Sequence, residues 1–155
     1  SRFTCNSIFF FATLPPSGTV DDIKRIGFVA AEITKIGGVA ICAAIAPYQQ
    51  ARNDNRQLIS ENGTYIEIYL STSLKTCEER DIKGLYAKAR NGNLKGFTGL
   101  DDPYEPPVNP EITLDTSSMN IDECVTKIMN YLQREGYVAH TNTAVAALEL
   151  ETAEA

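Results

Sequence analysis

Residues 39–46 read VAICAAIA, eight apolar residues without a charge, preceded by Gly37-Gly38 and stopped by Pro47. A run this short is a strand, and its lack of alternation means that both faces should lie under helices, as they do in a parallel sheet. Upstream, Ile23, Ile26, Ala30 and Ile33 recur at helical spacing as far as Lys35. Thr19 can cap that helix, and Asp21 and Asp22 sit where its dipole favours anions. Further upstream, residues 8–13 (IFFFAT) form a second short apolar strand that stops at the turn LPPSG. Downstream, residues 48–60 are polar and helical in composition, Asn62-Gly63 is a turn, and residues 64–70 (TYIEIYL) alternate as a strand does.

The rest of the chain continues the pattern. Thr72 is expected to cap a helix running to about Arg80, and residues 85–90 form another. Residues 91–110 are rich in Gly and Pro and read as a loop, of a length that is uncommon in compact domains unless the loop is functional. Glu111 to Asp115 is a short strand. Asn120 and Glu123 then make a capping box for a helix with Ile121, Val125, Ile128 and Leu132 on one face. Strands alternating with helices give α/β, in three α/β/α layers around a parallel sheet. One domain is expected over residues 1–138, with residues 139–155 as a disordered tail.

At 155 residues, 43% hydrophobic and 22% charged, the chain has room for one core and is not a disordered polymer. The most apolar stretch, residues 37–47, falls short of the ~18 residues that cross a bilayer. No membrane role is therefore expected. A net charge of −6 and a pI of 4.8 argue against nucleic-acid binding, which depends on clustered Lys and Arg. The four cysteines have no C-x-x-C spacing and read as reduced thiols, which suits a cytoplasmic protein. His140 is the only histidine, so histidine triads and His-rich metal centres are excluded. A chain opening on Ser1 rather than Met is expected to be a fragment or a processed product.

Between Lys75 and Lys95 six cations (Lys75, Arg80, Lys83, Lys88, Arg90, Lys95) face three anions, a local +3 that leads into the long loop. Charge alone leaves two readings open, a solvated helix face or an anion site under a lid.

The order of motifs C-E-x-R-D, K-G-L-Y-x-K-A-R, K-G-F-T-G and D-D-P-Y-E across residues 77–105 resembles adenylylsulfate kinases. These are P-loop kinases that phosphorylate the 3′-hydroxyl of adenosine 5′-phosphosulfate (APS). Upstream, IKRIGFVAAEI (23–33) and ICAAIAPYQQAR (41–52) continue the likeness, which extends over residues 19–138. The resemblance implies a P-loop kinase fold that uses ATP and Mg²⁺ to convert APS to 3′-phosphoadenylyl sulfate (PAPS) in sulfate assimilation. It implies Phe97 as the ring that stacks on the APS adenine, with packing alone as the alternative. It also implies Lys95 and Ile45 as APS contacts, Arg80 and Arg90 at nucleotide phosphates, and a homodimer or an ATP sulfurylase domain as partner.

The front of the pattern departs from the family. A P-loop reads G-x-x-x-x-G-K-[ST], in which backbone amides cradle phosphate, Lys reaches the β and γ phosphates and the hydroxyl binds Mg²⁺. Here Ser17-Gly18 remain, but Thr13 replaces the first Gly, Thr19 the Lys and Val20 the hydroxyl residue, while Pro15 and Pro16 remove two amides. The family's next helix, strand and Asp-Gly-Asp-x-x-Arg turn are missing, so the sheet should lack an edge strand and have about four. Ala46 stands where the family has a phosphorylatable Ser. The resemblance therefore names no catalytic residue, no metal ligand and a doubtful P-loop. It leaves three expectations open: an impaired kinase, a non-catalytic nucleotide-binding domain derived from a sulfurylase fusion, or a truncated gene product.

Overall fold

The computed structural model describes residues 7–11, as backbone, and residues 20–139. Four strands, β1 (Ser7–Phe11), β2 (Ala40–Ala43), β3 (Thr64–Leu70) and β4 (Ile112–Leu114), form one sheet in the order β2-β1-β3-β4. Every neighbouring pair is parallel, with Phe9 in register with both Ile41 and Ile66, and Ile68 with Ile112. The first apolar strand is thus interior, and the described residues form four strands, the number expected.

Five helices connect the strands: α1 (Val20–Lys35), α2 (Gln49–Ser60), α3 (Leu74–Arg80), α4 (Leu85–Arg90) and α5 (Ile121–Arg134). The period-two alternation of β3 decides the layers. Tyr65 points toward α1 and α2, where it joins Ala30, Ala31, Ala40 and Ile59. Ile66 and Ile68 point the other way and, with Ile112, Leu114 and Leu132, form the core beneath α5. Burying each of those aliphatic side chains contributes about 1.5–3 kcal/mol. The helix α1 approaches α2 at Gly27, where an added Cβ would lie 2.0 Å from Asn55 Oδ1. The Asn55 amide also donates to the Ile23 carbonyl at 2.9 Å, which joins the two helices in the core.

Several local expectations need correction. The strand expected over 39–46 is only Ala40–Ala43, and it lies at the sheet edge with helices over one face. Ala40 and Cys42 meet α1, whereas Ile41, on the α5 side, is 72% exposed because α5 reaches only β3 and β4. The cap of α3 is Ser73, whose hydroxyl accepts from the Thr76 amide. Thr72 instead pairs with Thr116 across the β3 and β4 ends. On α5 the capping box forms as expected, but Ile121 and Val125 are exposed. The buried seam is Cys124, Ile128, Tyr131 and Leu132. Its Cys and Tyr carry apolar surface that an Ile, Val and Leu pattern omits. The Thr19 cap and residues 140–155 of the tail lie outside the described residues. Cys42, Cys77 and Cys124 are free thiols, with burial pushing the Cys42 pKa up.

Candidate functional site

Open parallel α/β sheets bind ligands beyond the carboxyl ends of their strands. At that end of β2 the chain turns through Ala46, a buried residue with a φ of 42°, a left-handed conformation that is rare without glycine. Its carbonyl accepts from Arg52 Nη1 at 2.7 Å. Arg52 is 5% exposed, and its Nη2 donates to Gln49 Oε1 at 2.9 Å and to the Glu105 carbonyl at 2.6 Å. Its Nε lies 2.8 Å from a Glu67 carboxylate oxygen. One guanidinium thus joins the end of β2, α2, β3 and the segment before β4.

A second layer of contacts fixes the long loop to the same place. The Glu105 amide donates to the Pro47 carbonyl at 2.9 Å, and the Glu105 carboxylate accepts from the Gln49 amide at 2.6 Å. The Tyr48 hydroxyl donates to both Asp102 carboxylate oxygens at 3.1 Å, and that hydrogen bond raises its pKa. Tyr104 stacks on Tyr69 with centroids 6.3 Å apart, and the Arg52 guanidinium lies 5.9 Å from the Tyr104 ring. Beside this clamp, Arg56 forms a fork with Glu111 at 2.6 and 2.8 Å. Burial opposes the Glu111 charge, but the hydrogen bonds from Arg56 and the Glu67 amide outweigh it and lower the pKa.

The loop tip has its own order. The Asp101 carboxylate accepts from the Gly96 and Phe97 amides at 2.7 and 2.6 Å, and these bonds lower its pKa. Gly96 (φ 69°) and Gly99 (φ 90°) supply the left-handed turns this requires. Phe97 is half-buried, edge-on to Tyr86 of α4 with centroids 4.9 Å apart. Asp81 in turn accepts from the Tyr86 and Ala87 amides and holds the start of α4.

The residues proposed from sequence are thus distributed unevenly. Lys95 is exposed beside Phe97 on the tip, while Ile45 is half-buried and Ala46 buried at the end of β2, where the base of the loop is attached. Arg80, an exposed residue, donates to the Thr116 hydroxyl and carbonyl at 2.8 and 2.6 Å. Arg90 pairs with Glu78. Ser17 and Gly18 lie outside the described residues. No group of three or more His, Cys, Asp or Glu among the described residues is arranged to hold a metal ion. Arg52 and Asp101 were missed as site-building residues. Their signals were an arginine one turn into a polar helix and the Asp-Asp pair behind K-G-F-T-G.

The loop, its clamp and the end of β2 together carry the motif order noted above, and the sequence model described as adenylylsulphate kinase matches residues 15–115. The chain belongs to the adenylylsulphate kinase family. It is 48% identical over 118 residues to the adenylyl-sulfate kinase of Rippkaea orientalis, covering 76% of this chain and 64% of that one. It is 45% identical over 117 residues to the sulfate adenylyltransferase of Coccidioides immitis, covering 76% of this chain and 20% of that one. The APS kinase of Mycobacterium tuberculosis, solved in complex with AMPPNP and APS, superposes with a TM-score of 0.71 at 28% identity. That superposition covers 82% of this chain and 79% of the other. The chain thus spans less than two thirds of the Rippkaea orientalis relative's length and a fifth of the sulfate adenylyltransferase's.

Proposed function

We propose that this chain is an APS-binding kinase domain whose reaction type is phosphoryl transfer from ATP to the 3′-hydroxyl of APS, giving PAPS in cytoplasmic sulfate assimilation, and that its turnover alone is impaired or absent. The observation that carries this reading is the clamp of Arg52, Tyr48 and Glu105, which holds a folded loop against the carboxyl end of β2. Phe97 supplies the stacking ring and Lys95 a cation for the phosphosulfate, with Ile45 lining the floor. For Phe97 to stack on adenine, its edge contact with Tyr86 must loosen or shift. Arg80 and Arg90, held by Thr116 and Glu78, are proposed to offer their remaining N–H groups to nucleotide phosphates. Ser17 and Gly18 are proposed as the remnant of the ATP loop.

Impairment follows from Thr19 and Val20, which stand in for the lysine and hydroxyl that hold phosphate and Mg²⁺. Losing one preorganised group at a transferring phosphoryl costs about 10²–10³ in rate. A second reading, a non-catalytic nucleotide-binding domain allied to an ATP sulfurylase, is favoured by the likeness to a sulfate adenylyltransferase.

Titration calorimetry with APS, together with APS-dependent ADP release, tests the proposal. The expected outcome is measurable binding that Phe97→Ala weakens by about 1–3 kcal/mol, the range for base–aromatic stacking. Turnover should lie at least about 10³-fold below that of a family member with an intact loop. No heat with APS would overturn the binding claim, and turnover at the level of that family member would overturn the claim of impairment.

A further inference from the structure

The turn that carries Phe97 is tied at both of its peptide groups. The Phe97 amide donates to Asp101 Oδ1 at 2.6 Å and the Gly96 amide to Asp101 Oδ2 at 2.7 Å, so one carboxylate takes two successive N–H groups. On the other side, the Phe97 carbonyl accepts from the Leu100, Asp101 and Asp102 amides at 3.0, 3.2 and 3.3 Å, and the Gly99 amide donates to the Asp102 carbonyl at 2.7 Å. A Cβ added at Gly96 would meet nothing within 4 Å, so glycine is needed there for its φ of 69° and not for space. The next carboxylate, Asp102, accepts from the Tyr48 hydroxyl beside the end of β2. Of the two neighbouring aspartates, one therefore holds the tip and the other joins the tip to the sheet.

The ring that Phe97 touches is mounted in the same way. The Tyr86 amide donates to Asp81 Oδ1 at 3.0 Å, so each ring of the Tyr86–Phe97 edge pair stands on a backbone amide held by a carboxylate. Hydrogen bonds to an ionised acceptor are roughly twice as strong as neutral ones, which suits an exposed loop that has little core of its own. With its N–H and C=O both engaged, Phe97 has its side-chain torsions left to move. The shift of the ring away from Tyr86 is then a rotation about side-chain bonds and needs no refolding of the turn. A segment ordered before its ligand arrives avoids the ordering cost that a loose segment incurs on binding.

We infer that Asp101 is a positioning residue for base stacking: by holding the Gly96 and Phe97 amides it keeps the turn rigid while the Phe97 side chain swings from Tyr86 to the purine of a bound nucleotide. The ligand in this inference rests on the APS reading. Two measurements on the full chain test it, titration calorimetry with APS and nuclear magnetic resonance of the Tyr86 ring without ligand. Asp101→Ala should weaken APS binding roughly tenfold, the cost of ordering a loosened turn. Asp101→Asn keeps one acceptor oxygen and turns an NH₂ group toward the second amide, so its affinity should fall between those of Asp101→Ala and the wild type. In a Phe97→Ala background, Asp101→Ala should have no further effect on APS binding, because the carboxylate acts through the ring. The Tyr86 resonances, which the Phe97 ring shifts from 4.9 Å away, should move in Asp101→Ala. Far-ultraviolet circular dichroism checks that each variant is folded. Unchanged Tyr86 resonances in Asp101→Ala would overturn the positioning role, as would a full loss of affinity on adding Asp101→Ala to Phe97→Ala. A wild type that gives no heat with APS, while Asp101→Ala still moves the Tyr86 resonances, would overturn the APS reading and support the hold of Asp101 on Phe97.

Discussion

Arg52 is buried yet charged, and its stability rests on what surrounds it. Transfer of an isolated guanidinium from water is costly, so Glu67 and the carbonyls of Ala46 and Glu105 must all be in place. Removing one member of such a pair leaves the other charge buried without compensation. Arg52→Met should therefore lower unfolding free energy by about 3–5 kcal/mol, measured by urea denaturation. Arg52→Met combined with Glu67→Met should cost less than the sum of the single changes, and simple additivity would show that the two charges do not depend on each other. The sequence did not disclose this pair. Glu67 falls where alternation in TYIEIYL allows a solvated face, and only the folding of α2 over that face buries it. Asp101 was equally silent, because a carboxylate that caps two amides looks like any loop aspartate until the loop is folded. Phe97 was legible only through the motif that surrounds it.

Among the elements, the α1–α2 contact is the most sharply constrained. A glycine in a helix interior ordinarily costs about 1 kcal/mol against alanine. At Gly27 the sign reverses, because a methyl group would overlap the Asn55 amide, and overpacking costs about 1–3 kcal/mol. Gly27→Ala should therefore destabilise the protein by roughly 1–2 kcal/mol net, seen as a lower thermal midpoint, whereas a rise would show that the helices separate freely. Helix existence was readable from periodicity, and the α5 box from Asn120 and Glu123 alone, since both effects are local. Which face is buried depends on distant partners. Hence the α5 seam ran through Cys124 and Tyr131 instead of Ile121 and Val125, and the run VAICAAIA, apolar enough to be covered twice, is covered once.

At the scale of the whole molecule, acid should act through several carboxylates at once. Asp81, Asp101, Asp115 and Glu111 all have pKa values lowered in the folded state, the first two chiefly by backbone amides. A lowered folded pKa means that the unfolded chain binds protons more readily. The stabilisation is fully present above the unfolded value of about 4 and is lost as pH falls through the folded values. Urea midpoints should be level from neutral pH to about pH 5 and decline below about pH 4. A midpoint that rose on acidification would contradict these shifts. The parallel sheet and its layers were legible because strand and helix periods alternate along the chain, while the clamp was not, because it joins residues more than fifty positions apart. The two rims of the sheet also differ. At β4 the Lys127 ammonium occupies the Thr113 carbonyl, placing a cation where an incoming strand would need to pair. The described β2 segment, with Ile41 exposed, has no charged residue of its own. Among the described residues, a strand arriving at β4 therefore meets a cation already seated on the edge carbonyl, whereas the β2 edge carries no such charge.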